Sequence, residues 1–366
     1  MKMLIASGHI SSELNKRKLL VAQAVKRNVD LTLAGYEKDV SEACAQAGAK
    51  YVCVPMERTG LNPLSDLKTL RHFYRLIKRE QYDVVHSYTV KPNLYSAIAA
   101  RLAGVKEIYP TVNGLGYAFT GNDLKTKLIR AYICFMYKLA FGCARKVFIQ
   151  NQDDADELVR RHVLPGEKCV VIAGSGIDLT EYPAQEQRNK HTFLMATRLL
   201  ATKGVWTYVE AAKIVKEKHP EAIFQLAGGY DPNPDGIKEP DLQPYIADGT
   251  IAYLGHVSNM AEAPAECTVF VLPSYYREGV PHAILEAMST GRAVLTTDAP
   301  GCKETVNGKN GFLIQPKDAK ELAERMIWMI EHPEETEKMG IESRKYAEER
   351  FDVEIVNGMM LEQMQV

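Results

Sequence analysis

The chain has 366 residues, 46% hydrophobic and 25% charged, with a formal net charge of −1. That composition fits a soluble globular protein of two ordinary domains and excludes a disordered or fibrous chain. No uncharged apolar run reaches the length of a membrane span, and Met1–Gly8 turns polar too soon for a signal peptide.

Lys2–Ser7 reads as a first strand, followed by Gly8 and His9 and a helix from about Ser12. A glycine turn after the first strand is where doubly wound folds admit a ligand, so Gly8 and His9 are candidate site residues. No G-x-G-x-x-G follows, which argues against a dinucleotide cofactor. Strands are then expected at Asp30–Gly35, Lys50–Val54, Asp83–Ser87, Glu107–Val112, Lys146–Asn151 and Lys168–Ala173, with helices near 40–48, 64–80, 91–104, 122–142 and 152–163. Steady alternation of this kind specifies a parallel α/β sheet. His86 and Lys91 stand where one strand end leads into a helix. Asn113 and Gly114 stand at the next such place, and an Asn there can both donate and accept hydrogen bonds.

The segment 124–146 is basic. Leu124, Leu128, Tyr132, Phe135, Leu139 and Cys143 lie near helical spacing, with Lys125, Lys127, Arg130, Lys138, Arg145 and Lys146 between them. Two placements fit: a core-facing amphipathic helix, or a helix lying on an anionic membrane. Residues 1–150 hold 23 Lys and Arg against 11 Asp and Glu, which leaves 22 basic and 35 acidic residues in the remainder. The first part is therefore expected to meet something anionic. A membrane surface or a diphosphate-bearing lipid fits better than nucleic acid, whose binding motifs are missing.

The rhythm breaks over 174–190, a polar linker, so domains are expected at 1–180 and 190–350, with a final helix in 351–366. A second α/β run begins at Thr192–Thr197. Arg198 follows at the strand end, and Lys203-Gly204 opens a helix to about Lys216. Cations five apart across such a turn can both reach one diphosphate. Ala222–Ala227 is a strand ending at Gly228, before a turn-rich loop holding Asp231 and Asp235, whose spacing is not that of a metal loop. Thr250–Leu254 leads to Gly255 and His256. Thr268–Leu272 is a buried strand, Ala293–Thr297 the next one, and helices follow near 317–331, 334–351 and 353–364.

Between those two strands lies Ser274–Met288. Pro281 suits a first helical position, and Gly279 allows close backbone approach to a ligand. The first turn of the helix offers free N–H groups and a positive dipole end, a seat for phosphate. Glu278 and Glu286 flank that seat. Ionised carboxylates only accept hydrogen bonds, so they suit hydroxyl-rich groups on either side of a diphosphate, the layout of a nucleotide sugar.

Glu278 to Glu286, set in Ser274-Tyr275-Tyr276-Arg277-Glu278-Gly279-Val280-Pro281, resembles the E-x7-E motif of retaining glycosyltransferases of family 4. Arg198, Lys203 and Gly204 are similar to that family's R-x4-K-G. Gly174–Asp178 and Gly301–Glu304 resemble further family segments, as does the strand with Gly255 and His256, beside the donor base in that family. Asp83–His86 resembles its D-hydrophobic-hydrophobic-H-x-H, with Tyr88 in the second His position. Thr111–Gly114 resembles its T-x-H-G, with Asn113 in place of His. The resemblance implies the GT-B fold: two Rossmann-like domains facing each other across a cleft, with the last helix crossing back to the first. It implies that Glu278 faces the donor sugar and Glu286 holds the ribose. Arg198, Lys203 and the helix beginning at Pro281 would stabilise the leaving diphosphate without a metal. Gly8, Gly228, Gly255, His256, Gly279 and Val280 would line the donor, and His9, His86, Lys91, Asn113 and Gly114 the acceptor.

The expected activity is transfer of a hexose or N-acetylhexosamine from a UDP-sugar to a saccharide acceptor in surface glycan synthesis. The pattern is most similar to enzymes that extend undecaprenyl-diphosphate-linked sugars. No cofactor or nucleic-acid partner is expected. Seven cysteines without C-x2-C pairing fit a reducing compartment, hence a cytoplasmic protein. The basic first part, with the lipid-linked acceptor that the resemblance implies, leads to the expectation of a peripheral position on the inner face of the membrane. A GT-B sugar-nucleotide epimerase, a phosphorylase, a silent sugar-nucleotide-binding subunit and a transferase with a soluble acceptor are the alternatives.

Overall fold

The computed structural model describes residues 1–57, 62–121, 123–186, 191–233, 235–257 and 267–366. The last residues of the expected linker, 187–190, lie outside them. The chain divides into two compact units, Met1–Ser175 with Glu354–Val366, and Gly176–Val353.

In the first unit the elements run β1 (Lys2–Ala6), α1 (Ile10–Lys26), β2 (Asp30–Gly35), α2 (Ser41–Gln46), β3 (Lys50–Cys53), α3 (Pro63–Glu80), β4 (Val84–Tyr88), α4 (Val90–Ala103), β5 (Glu107–Val112), α5 (Tyr117–Thr120), α6 (Leu124–Cys143), β6 (Val147–Ile149), α7 (Gln152–Arg160) and β7 (Cys169–Val171). The second continues β8 (Thr192–Ala196), α8 (Val205–Lys218), β9 (Ile223–Ala227), α9 (Glu239–Ala247), β10 (Ala252–Gly255), β11 (Val269–Leu272), α10 (His282–Ser289), β12 (Ala293–Thr297), β13 (Gly311–Ile314), α11 (Ala319–Glu331) and α12 (Pro333–Tyr346). α13 (Val353–Gln363) returns to the first unit, where Val356, Met360, Leu361 and Met364 pack with Leu20, Val21 and Ala24 of α1.

Both sheets are parallel. The first has the order β3-β2-β1-β4-β5-β6-β7 and the second β10-β9-β8-β11-β12-β13. The inner strands, covered by helices on both faces, are buried and read as unbroken apolar runs, whereas the edge strands β3, β7 and β10 are partly exposed. In the first unit one apolar layer joins the sheet to α3, α4, α6 and α7, the other to α1, α2 and α13. Each sheet reverses direction once, at β1/β4 and at β8/β11. In open α/β sheets ligands bind outside the carboxyl ends of the strands at such a reversal. Gly8 and Thr89 lie at the first, Arg198 to Lys203 and Ser274 to Glu278 at the second.

α6 decides one question that periodicity left open. Asp123 caps it, accepting from the Thr126 amide at 3.0 Å. Thr126, Tyr137, Ala140 and Phe141 face inward. Leu124, Leu128 and Phe135 are 75%, 65% and 60% exposed, and Tyr132 and Leu139 share their outward face. The core-facing placement is therefore corrected: the stripe points away from the unit. Lys125, Lys127, Lys138 and Arg145 are exposed with it. Arg130 instead donates to the Ala118 carbonyl at 2.8 Å and Lys146 to that of Glu167 at 2.7 Å.

Candidate active site

The loop after β8 and the loop after β11 meet at Gly204. Its φ is +82°, and a Cβ there would sit 2.1 Å from the Pro273 carbonyl oxygen, so only glycine permits the approach. The amides of Tyr275 and Tyr276 donate to the Thr202 carbonyl at 3.0 and 3.1 Å, zipping the loops together. The Lys203 ammonium thereby reaches Glu278 Oε2 in a hydrogen-bonded ion pair. The two side chains are only 10% and 13% exposed. Ser274 Oγ donates to Glu278 Oε1 at 2.8 Å, and the Lys203 ammonium lies 5.5 Å from the Tyr276 ring centre. The β12 hydroxyl of Thr297 holds the Ser274 carbonyl.

Arg198 does not join that pair. Its side chain is 53% exposed, and Nη1 meets Asp231 Oδ2 at 3.1 Å. Burial raises the Asp231 carboxyl, but the Asn233 amide and Arg198 outweigh it and hold the group below the usual range. Asp235 accepts from Thr202 Oγ1 at 2.6 Å. Both aspartates thus brace the Arg198–Lys203 turn.

Pro281 is not the first helical residue. Its ψ of 116° is extended, and it serves as the N-cap of α10, its carbonyl accepting from the Ile284 amide at 3.1 Å. The missing proline N–H costs no helical bond at that position either. Gly279 and Val280 are buried. The Gly279 carbonyl presses on Gly301, where a Cβ would fall 1.5 Å from that oxygen. Glu286 lies on the second turn of α10. Its Oε1 meets His282 Nδ1 at 2.9 Å and accepts from the Tyr182 hydroxyl at 3.2 Å. Burial, and then the Glu286 charge, push the Tyr182 phenol up. Gly228 ends β9, its amide donating to the Gly255 carbonyl at 2.7 Å. His256 is exposed on the loop after β10.

In the first unit the Gly8 amide donates to Thr89 Oγ1 at 3.3 Å. His9 precedes α1, with Nε2 2.6 Å from the Tyr36 hydroxyl. His86 is corrected from an acceptor-facing residue to a core one. It is fully buried, packs edge-on against Tyr88 and Phe148, and meets the Tyr109 carbonyl through Nδ1 at 2.6 Å. Burial, with Arg17 nearby, lowers its pKa to about 3, so it is a neutral core imidazole. Lys91 forms a largely buried ion pair with Asp66 at 2.8 Å. Asn113 accepts from Arg17 and Gln150, and beyond Gly114 the Leu115 amide donates to Asp154 at 3.1 Å.

Residues that sequence reasoning missed are Ser274, Thr202, Tyr182, His282 and Arg17. Of these, His282, one helical turn before Glu286, and Arg17, one turn after Glu13, carried a readable spacing. Among the described residues no group of three or more His, Cys, Asp or Glu is placed to hold a metal ion. No helix among them is long and apolar enough to cross a membrane.

Two family models match, "Glycosyl transferases group 1" over residues 179–346 and "Glycosyl transferase 4-like" over residues 6–151. The chain is 30% identical over 339 residues to the N,N'-diacetylbacillosaminyl-diphospho-undecaprenol alpha-1,3-N-acetylgalactosaminyltransferase of Campylobacter jejuni, covering 88% of each. It is 30% identical over 285 residues to the UDP-Gal:alpha-D-GlcNAc-diphosphoundecaprenol alpha-1,3-galactosyltransferase of Escherichia coli, covering 72% of this chain and 70% of that one. Among solved structures it is similar in fold to HepE of Anabaena in complex with UDP and glucose, with a TM-score of 0.78 at 18% identity, covering 100% and 99% of the two chains. Sucrose-phosphate synthase of Thermosynechococcus elongatus gives 0.82 at 18% identity, covering 100% and 98%. With the paired loops at β8/β11 and matches running through both units, the chain is a glycosyltransferase of family 4 with the GT-B fold.

Proposed function

We propose that the enzyme transfers a hexose or N-acetylhexosamine from a UDP-sugar, with retention of configuration, to a saccharide carried on a lipid diphosphate. The observation that carries this reading is the Lys203–Glu278 pair at the β8/β11 reversal, beside the start of α10, with Glu286 on the next turn. Lys203, Arg198 and the α10 N-terminus supply positive charge to a leaving UDP, the preorganised stabilisation such a reaction needs. Arg198, exposed and braced by Asp231, has room to turn onto a phosphate. Glu278 accepts from donor-sugar hydroxyls and Glu286 from the ribose. The lipid-linked acceptor is supported by the Campylobacter and Escherichia relatives, which act on diphosphoundecaprenol-linked sugars.

The cations around the diphosphate take the part of a metal, so UDP release from a panel of UDP-sugars should persist in EDTA. Turnover lost to EDTA and restored by Mg²⁺ or Mn²⁺ would instead place a metal at the phosphates.

The outward stripe of α6 supports a peripheral position on the cytoplasmic face of an anionic membrane. Leu124, Leu128, Tyr132, Phe135 and Leu139 would sit at the acyl boundary, with Lys125, Lys127, Lys138 and Arg145 toward the headgroups. Each such cation adds about 1 kcal/mol near an anionic leaflet, and salt weakens the attraction by shortening the Debye length. Vesicles containing anionic lipid should therefore pull the protein down at low salt and release it at high salt. Leu128→Ser with Phe135→Ser should weaken sedimentation without changing UDP affinity. Equal binding to neutral and anionic vesicles would refute the electrostatic part, and unchanged binding of the double variant would refute the role of α6.

A further inference from the structure

Asn113 follows β5 and is partly exposed, and its amide is not free to choose its orientation. Arg17, 4% exposed, projects from a bend in α1 where its own backbone is non-helical, with φ −128° and ψ 25°. Its guanidinium lies 3.9 Å from the Tyr88 ring centre, and Nε donates to Glu13 Oε2 at 2.6 Å. Nη2 lies 3.3 Å from Asn113 Oδ1, and Gln150 Nε2 lies 3.3 Å from the same oxygen. A guanidinium has five donors and no acceptor, so the Asn113 oxygen must face it and the NH₂ must turn away. Arg17 and Gln150 together occupy both lone pairs of that oxygen. The residue left for a ligand is then a donor only, whereas a histidine nitrogen there can donate or accept.

We infer that Asn113 is a fixed hydrogen-bond donor to an oxygen of the sugar substrate, a hydroxyl lone pair or an amide carbonyl, and that Arg17 and Gln150 are positioning residues that lock it in that sense. The inference rests on the proposed transfer reaction. A buried guanidinium is costly to desolvate, and here Nη1 has no hydrogen-bond partner among the described residues. Stability alone is a poor reason to keep such a group, whereas fixing the sense of one amide is a sufficient one.

Asn113→Asp tests it. The carboxylate still accepts from Arg17 and Gln150, so the fold holds, but the N–H donor is gone. Turnover of the wild-type UDP-sugar and lipid-linked acceptor should fall about 10–100-fold, the usual consequence of losing a desolvated donor. UDP affinity should not change. Gln150→Ala should lower turnover less, about threefold to tenfold, and cost nothing further in the Asn113→Asp background, since the lock then has nothing to orient. Unchanged turnover in Asn113→Asp, or equal losses from Gln150→Ala in both backgrounds, would overturn the inference. Melting temperature reads the lock independently of turnover. It should hold or rise in Asn113→Asp, where Arg17 gains a charged partner, and a clear drop would show that Arg17 does not face that oxygen. Failure of the wild-type enzyme to use any lipid-linked acceptor would count against the transfer reading, while the melting result still judges the lock.

Discussion

Lys203→Ala is expected to lower turnover about 10²–10³-fold, the usual cost of removing one preset charge from a leaving group. It should also lower stability, because its partner stays behind. Glu278 and Lys203 are close to nine-tenths buried as side chains and hydrogen-bonded to each other. Breaking such a pair by removing one member costs about 3–5 kcal/mol, mostly from the uncompensated charge that remains. Ser274 Oγ would still donate to the Glu278 carboxylate, but the ammonium that balances its charge would be gone. Arg198→Ala separates the two effects. Its exposed pair with Asp231 is worth about 0–1 kcal/mol, so the melting temperature should barely move while turnover falls by a similar factor. Steady-state UDP release and thermal melting on both variants check this. Near-normal turnover in either would mean that the diphosphate sits elsewhere.

The two glutamates should differ in what they lose. Glu286→Ala is expected to weaken binding of UDP itself about 10–100-fold, because a hydrogen bond to a charged group is worth about 1.5–3 kcal/mol and its proposed partner is the ribose. His282 and Tyr182 hold Oε1, which presents the carboxylate in one orientation before the ligand arrives. Glu278→Ala should weaken UDP-sugar binding or turnover more than UDP binding, because its proposed partner is the sugar. Calorimetric titration of both variants with UDP and with the UDP-sugar decides it, and equal losses of UDP affinity would overturn the division of roles.

Much of the fold was legible because both sheets are parallel and covered. Most strands are short apolar runs bounded by turn residues, and most helices between carry the expected period; β13 and the short α5 were not read. α9 was not read, since Pro240 and Pro244 in nine residues hide a helix from propensity. The α6 stripe was found, but a period gives the spacing of a face and not its direction, so burial had to settle that it points outward. At the site, Lys203 and Glu278 stood out as residues, yet their mutual pairing depends on Gly204 letting two loops touch. Pro281 was misplaced by one position because proline suits both the N-cap and the first turn. His86 resembled the family's strand-end histidine and proved to be core, while the contacts of Arg17 with Asn113 and of Tyr182 with Glu286 gave no local sign because those partners lie about 100 residues away.

The most direct test of the proposed transfer is mass analysis of the lipid product. The full chain would be incubated in EDTA with UDP-N-acetylgalactosamine or UDP-galactose and an undecaprenyl-diphosphate-linked monosaccharide. The expected result is a lipid-linked disaccharide, one sugar residue heavier, with an α linkage and one UDP released for each product formed. An unchanged lipid, with the UDP-sugar converted to its epimer or transferred only to a soluble saccharide, would contradict the account.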